Sequence, residues 1–308
     1  MLSIISEIFY WILNISLAGS LVSVFIIVYR KFFKYNYLIN TFLWTILSIR
    51  LILPYSYITR FSILELYRIF GLRITTTAGQ GSLYFSNIVS QAITYSPIAF
   101  KSDFVLVLFQ VLSIVWVIGI VLILIFWYLS FRKINIILKR GTSLGEIHSL
   151  KVYETSQVQN PFIYGILHPI VIVPKNFNTE DLEIVMNHER AHYKHFDNLK
   201  RFFALLICMI HWFNPLVWKS FKAFSEDLEV EADRQAIAWI GKDKKQVYLT
   251  TLVRLSTDNT TMVGSTFSTH PLVRRVQTQM DIHEIKYKFT WLFVVIGILT
   301  ILVLLANT

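Results

Sequence analysis

The stretch His188-Glu189-Arg190-Ala191-His192 is the most informative part of this 308-residue chain. Residues four positions apart on a helix lie one turn apart on the same face, so both imidazoles can reach a single metal ion. The carboxylate of Glu189 then projects beside that ion, where it can act as a general base. This HExxH pattern predicts a helix that carries a zinc-dependent hydrolytic centre.

A catalytic zinc ion takes three protein ligands and keeps one coordination position for water. Downstream of the motif, acidic residues cluster at Glu226, Asp227, Glu229, Glu231 and Asp233. Glu229 and Asp233 share a helix face, so we predict Glu229 as the third ligand. Asp233 is predicted to hydrogen-bond a ligand histidine and to fix the orientation of its ring. The alternative for this cluster is a solvated helix face.

Three further residues are candidates for the site. Asp197 either caps the next helix or accepts a hydrogen bond from a ligand histidine, and the sequence leaves both roles open. His270 and Arg274, with the adjacent Arg275, could approach the cleft and stabilise an oxyanion. The alternative is that this segment caps a helix beginning near Pro271.

The composition indicates a membrane protein. Hydrophobic residues make up 55% of the chain, charged residues 16%, and the mean hydropathy is +0.54. We predict two transmembrane helices within 1–54, an extracytoplasmic loop at 55–103, a third span at 104–129, a cytoplasmic domain at 130–288, and a fourth span with a short tail at 289–308.

The formal net charge of +10 is explained by topology. Basic residues flank the predicted spans at Arg30, Lys31, Lys34, Arg132, Lys133, Lys139, Arg140, Lys286 and Lys288. The positive-inside rule places these segments in the cytoplasm and both termini outside. Direct binding to nucleic acid is therefore not expected.

Within 130–288, short strands are predicted at 150–154 and 170–173, where β-branched residues are frequent. A helix beginning at Asn178 or Thr179 is predicted to carry the histidines, and another to cover 222–240. An extended substrate is expected to pair with an edge strand such as 170–173.

The apolar run 202–218 has two interpretations. It is short for a membrane span, and Asn214-Pro215 interrupts it. His192 precedes the run and Glu229 follows it, so a single crossing would separate two ligands of one ion. The run is therefore either a core helix of the protease domain or a re-entrant pair of helices.

Several motifs together resemble the BlaR/MecR-type antirepressor metallopeptidases, which are membrane-integral gluzincins of bacteria. The motifs are Asn160-Pro161-Phe162 with Gly165, the stretch from Pro169 to Pro174, the stretch from His188 to Asp197, Trp212 to Trp218, Asp227 to Asp233, and Arg50-Leu51 before Pro54. The implied fold is a mainly α membrane protein with four transmembrane helices. A cytoplasmic α+β gluzincin-type zinc protease domain is inserted between the third and fourth helices.

The resemblance implies one Zn²⁺ per chain, held by His188, His192 and Glu229, with Glu189 catalytic. It implies regulated proteolysis in the bacterial cell membrane that relieves a winged-helix transcriptional repressor, with self-cleavage in some members, and it leaves a homodimer open. The β-lactam-sensing members carry an extracellular penicillin-binding domain after the last span, whereas this sequence ends at Thr308. We therefore expect another route for the signal. Ala232 replaces a cysteine of the family, with little expected consequence.

The leading hypothesis is a membrane zinc endopeptidase that cleaves a cytoplasmic regulator, itself, or both. The alternative is a non-catalytic signalling adaptor in which zinc only joins helices, and it would require a fourth protein ligand. A transporter is a third hypothesis, but the predicted spans offer little charge beyond Arg50.

Overall fold

Helices dominate the computed structural model, which describes residues 2–32, 35–53, 57–58, 103–166, 168–257, 269–280 and 306–307. The chain divides into two compact units. The first unit comprises Met1–Ile123, Ile207–Ser220 and Lys286–Thr308, and the second comprises Leu124–Leu206 and Phe221–Ile285. In sequence, the segment 207–220 of the first unit therefore separates the two stretches of the second unit.

The first three helices among the described residues are apolar: α1 (Leu2–Phe32), α2 (Tyr37–Ile52) and α3 (Asp103–Lys139). Two of them, at Ile4–Phe32 and Val107–Lys139, are long and apolar enough to cross a membrane, and α2 is a shorter apolar helix. The predicted fourth span and almost all of the predicted loop 55–103 lie outside the described residues. The four-span topology therefore remains a prediction.

The apolar run 202–218 forms parts of two helices, α5 (Asp197–Ile210) and α6 (Pro215–Ile240), rather than one. Asn214 ends the turn between them, and its side-chain oxygen accepts a hydrogen bond from Leu216 N at 2.9 Å. Pro215 then occupies the first helical position, where a missing N–H has no cost. The run is therefore not one continuous helix.

Residues 211–214, which we call the HWFN turn, contact the apolar helices of the first unit. The indole of Trp212 donates to Trp116 O at 3.2 Å, and the indole of Trp116 donates at 2.8 Å to the carbonyl of Ile210, the residue before the turn. Asn214 donates to the hydroxyls of Ser16 and Ser20, each at 2.7 Å. These bonds satisfy polar groups that would otherwise be buried without partners.

A four-stranded sheet lies in the second unit. Its strands are β2 (Thr142–Ile147), β3 (Leu150–Thr155), β4 (Phe162–Tyr164) and β5 (Ile170–Pro174), in the order β2-β3-β5-β4. β3 and β5 are parallel, and the two outer pairs are antiparallel. The two-residue strands β1 (Tyr57–Ile58) and β6 (Ala306–Asn307) pair separately in parallel.

The two predicted strands are confirmed as β3 and β5, but the expectation of an open edge at 170–173 is wrong. β5 pairs with β3 on one side and with β4 on the other. Its apolar composition reflects burial, since Val171, Ile172 and Val173 are all at most 1% exposed. Among the described residues, β4 forms the edge of the sheet.

Helix α4 (Thr179–Lys194) carries the HExxH motif, as predicted. Asn178 caps it by accepting a hydrogen bond from Glu180 N at 3.0 Å. Met186 on this helix is fully buried in a cluster with Leu150 and Val152 of β3 and Val171 and Val173 of β5. The sheet therefore holds α4 by its apolar face, which leaves the histidine face for the site.

Two further α-helices are described in the second unit, α7 (Lys245–Thr257) and α8 (Thr269–Met280). Tyr248 and Leu249 of α7 pack with Ala236 and Ile237 of α6, and Ile184 of α4 joins this cluster. The predicted helix 222–240 is confirmed as the larger part of α6, which ends before Gly241. Helices α4, α6 and α7 thus meet around one polar centre.

Candidate metal centre

His188 and His192 lie one turn apart on α4, and their Nε2 atoms face each other at 3.1 Å. Glu229 reaches them from α6. Its Oε2 lies 3.4 Å from His188 Nε2, and its Oε1 lies 3.4 Å from His192 Nε2. One ligand atom of each residue falls within 4.8 Å of the others. The structure therefore brings together the three residues that the sequence singled out as ligands.

The other nitrogen of each imidazole also has an oxygen partner. His192 Nδ1 lies 2.8 Å from Asp197 Oδ2. His188 Nδ1 lies 2.9 Å from the phenol oxygen of Tyr248 and 3.1 Å from Asp233 Oδ1. When Nδ1 carries the proton in such a bond, the lone pair of Nε2 is directed to the opposite side. Both rings therefore present Nε2 to the same point.

Asp197 contacts His192, which corresponds to the second of the two roles that the sequence left open. It is the first residue of α5, and its buried carboxylate contacts both His192 Nδ1 and Lys200 Nζ, the latter at 3.0 Å. Burial alone would raise the pKa of Asp197, but the hydrogen bond and charge of His192, with the charge of Lys200, lower it. An ionised carboxylate is thus kept against the ring of His192.

The donor set fits a divalent cation. Two imidazole nitrogens and one carboxylate are ligands that zinc accepts, and their convergence leaves room for a water molecule as a fourth ligand. Glu189 lies beside them and is only 7% exposed. Within the described part of the chain, its buried Oε2 has no hydrogen-bond partner. A buried carboxylate oxygen needs a partner, and a water molecule or a substrate group in the cleft would supply one.

Two arginines also contact Glu229. Arg275 NH1 lies 3.1 Å from Glu229 Oε2, and Arg201 NH2 donates to Glu229 Oε1. Arg275 also forms two hydrogen bonds with Asp233, from Nε to Oδ2 and from NH2 to Oδ1, each at 2.7 Å. The phenol of Tyr248 donates to Asp233 Oδ1 at 2.6 Å.

Charge around the histidines shifts the pKa values of the site. Burial alone would raise the pKa of Glu229 and Asp233, but Arg275 and the histidines outweigh it. The pKa of Glu229 lies well below its usual value, and that of Asp233 is about 2. Burial alone would lower the pKa of His188, but hydrogen bonds to Asp233 and Glu229 raise it to about 10. For His192, the charge of Glu229 likewise raises the pKa against burial. The carboxylates therefore favour positive charge on the two imidazoles.

The structure changes one assignment on α8. Arg274 contacts Asp227 at 3.3 Å, whereas its neighbour Arg275 reaches the centre. Successive residues on a helix point about 100° apart, so only one of the two can face the cleft. His270 lies in the first turn of α8, and its predicted role is not tested because its side chain is outside the described part.

A cavity of about 330 Å³ opens over the three candidate ligands. Asn160, Pro161, Phe162 and Ile163 form one wall, and Thr251, Leu252 and Leu255 of α7 contribute to another. The strand beside the metal centre is therefore β4. Its volume lies at the lower end of the range for ligand-binding clefts.

An HExxH helix, a carboxylate on a second helix and an adjoining cleft are the features expected of a metallopeptidase-type site. The profile of the BlaR1 peptidase M56 family matches residues 10–278. The chain therefore belongs to this family, and the resemblance noted in its motifs is confirmed at that level.

Two named relatives align with the chain. The regulatory protein BlaR1 of Bacillus licheniformis is 26% identical over 147 residues, which cover 42% of this chain and 24% of that protein. The methicillin resistance mecR1 protein of Staphylococcus aureus is 23% identical over 162 residues, covering 46% of this chain and 28% of that protein. The alignments span about a quarter of the length of these curated relatives. Family and relatives together place the chain among proteins related to BlaR1 and mecR1.

Proposed function

We propose that this protein is an integral-membrane zinc endopeptidase. The observation that carries the proposal is the convergence of His188 Nε2, His192 Nε2 and a Glu229 oxygen within 4.8 Å. Each imidazole is oriented by an oxygen on its far side, as metal-ligating histidines are in enzymes. Because three protein ligands leave a coordination position open, the arrangement favours catalysis over a closed structural site.

His188, His192 and Glu229 would hold the zinc ion. When bound, the ion supplies Lewis acidity at a substrate carbonyl and acidifies a water molecule. Glu189 accepts a proton from the attacking water as the water oxygen bonds to the carbonyl carbon. Glu189 then transfers that proton to the leaving nitrogen as the C–N bond breaks. Asp197 and Asp233 hold the two imidazoles in fixed orientations throughout.

The substrate is proposed to be a polypeptide that pairs with β4. In the described part of the chain β4 has β5 on one side only, and Phe162 and Ile163 line the cleft. An extended segment added to this edge would form backbone hydrogen bonds and pass over the candidate ligands. We propose a cytoplasmic regulatory protein of the winged-helix repressor class, the chain itself, or both as substrate.

Substitution of Glu189 by glutamine tests the catalytic assignment. The variant keeps the three ligands but cannot accept a proton, so zinc content should be unchanged and cleavage should fall by at least about 100-fold. Zinc content is measured on the purified full-length chain by elemental analysis. Cleavage is followed by mass spectrometry of cellular proteins in cells that carry each variant.

Glu183→Gln is the matched control, because Glu183 is exposed on the same helix and does not line the cleft. It should retain both zinc and cleavage. A different outcome would favour the non-catalytic adaptor. In that case wild type and Glu189→Gln would both bind zinc, but the cellular proteins would be the same with either variant as in cells without the gene. Wild-type protein without metal would overturn both.

A further inference from the structure

We infer that Arg275 is a positioning residue that holds Glu229 in the orientation required of a metal ligand. This inference rests on the proposed function, because it assumes that Glu229 binds the ion. Arg275 would not touch substrate. Its effect would pass through two carboxylates on α6, Glu229 and Asp233, which it contacts at 3.1 Å and 2.7 Å.

The geometry requires the shape of a guanidinium group. Nε and NH2 bond the two oxygens of Asp233 as a fork, and NH1 extends to Glu229 Oε2 one helical turn away. All three nitrogens therefore have carboxylate partners. An ammonium group is a point charge and cannot hold two carboxylates in one plane in this way.

Glu229 needs this support because its side chain is long and partly exposed. The exposed fraction of its side chain is 26%, whereas the carboxylate of Asp233 is fully buried. Each carboxylate oxygen can accept two hydrogen bonds. With Arg275 on Oε2 and Arg201 on Oε1, one acceptor site on each oxygen remains directed to the imidazoles. Fixing the rotamer beforehand lowers the entropy lost when the ion binds.

Arg275 also connects the metal centre to α8, which is distant in sequence from the candidate ligands. The ligands lie on α4 and α6, whereas Arg275 belongs to α8, which follows the last described residue of α7. Asp233 contacts both Arg275 and His188, so one fully buried carboxylate joins α8 to a candidate ligand on α4. Docking of α8 is thus coupled to the geometry of the centre.

The test compares Arg275→Lys and Arg275→Gln with Arg274→Gln in the full-length, detergent-solubilised protein. Arg274 is the matched control because it carries the same charge on the same helix but contacts Asp227 and does not line the cleft. Zinc affinity is measured by competition with a chromophoric chelator. Coordination geometry is read from the visible absorption spectrum of the cobalt-substituted protein.

We expect both Arg275 variants to bind zinc about 10- to 100-fold more weakly than wild type, as for other residues that orient metal ligands. Their cobalt spectra should change, whereas Arg274→Gln should match wild type in both measurements. Arg275→Lys retains the buried positive charge, so it remains informative if Arg275→Gln does not fold. Wild-type affinity and spectrum in Arg275→Lys would overturn the inference while leaving the proposed function intact. Absence of zinc from the wild-type protein would instead overturn the proposed function.

Discussion

At the scale of single residues, the phenol of Tyr248 joins the imidazole of His188 to the carboxylate of Asp233. The phenol oxygen lies 2.9 Å from His188 Nδ1 and donates to Asp233 Oδ1 at 2.6 Å. Burial and the nearby carboxylate raise the pKa of Tyr248 well above its usual value, which keeps the proton on the phenol. Tyr248 therefore acts as a fixed donor.

Replacing Tyr248 by phenylalanine should weaken zinc binding by about tenfold, since His188 loses one of two oxygen partners. The ring still fills its fully buried position, so the metal-free protein should lose only about 1 kcal/mol of stability from the missing hydrogen bond. Chelator competition and denaturant unfolding measure the two effects. An unchanged zinc affinity would show that Asp233 alone orients His188.

The residues of the site differ in how far the sequence could predict them. His188, Glu189 and His192 form a local pattern, and Glu229 and Asp233 repeat the same four-residue spacing. Tyr248 and Arg201 have no such signal, because 60 residues separate Tyr248 from His188 and 28 separate Arg201 from Glu229. Tyrosines and arginines are too common in a chain of this kind for type alone to select one.

At the scale of elements, burial explains which strands could be predicted. β3 and β5 are apolar because the sheet core surrounds them, so their composition is distinctive. β2 is exposed at five of its six positions, and β4 has only three residues. Neither presents the alternation or β-branched run on which sequence-based prediction depends. Because the sequence does not predict β4, it assigns the edge of the sheet to β5 instead.

The HWFN turn packs closely against α3 at Gly119. A Cβ atom on Gly119 would lie 2.3 Å from the indole of Trp212, which is far inside van der Waals contact. Gly119→Ala should therefore destabilise the first unit by about 1–3 kcal/mol, the usual cost of overpacking.

Thermal unfolding in detergent measures this effect, with Val121→Ala at an exposed position of the same helix as the control. We expect the control to unfold close to the wild-type temperature. If Gly119→Ala unfolded there too, the close approach of Trp212 to α3 would be refuted.

At the scale of the whole molecule, the predicted topology can be tested with introduced cysteines. The native Cys208 is 1% exposed, so it should contribute little background. Gln157 is an exposed residue of the proposed cytoplasmic domain, and Ser82 belongs to the predicted extracytoplasmic segment. A membrane-impermeant maleimide should label Ser82→Cys on intact cells and Gln157→Cys only after permeabilisation.

Labelling of Gln157→Cys on intact cells would show that the orientation is the reverse of the one proposed. The prediction of this organisation rests on long apolar stretches and flanking basic residues, which respond to the bilayer itself. It left the course of 202–218 open, since a run of that length fits either a membrane or a protein interior.

The route of the chain has a practical consequence for isolating the unit that carries the candidate metal centre. His192 and Glu229 stand on opposite sides of the apolar stretch 207–220, which belongs to the other unit. Every uninterrupted fragment with a complete ligand set therefore carries this stretch with it. A fragment of the second unit without this stretch therefore requires a linker in its place and cannot be made by truncation alone.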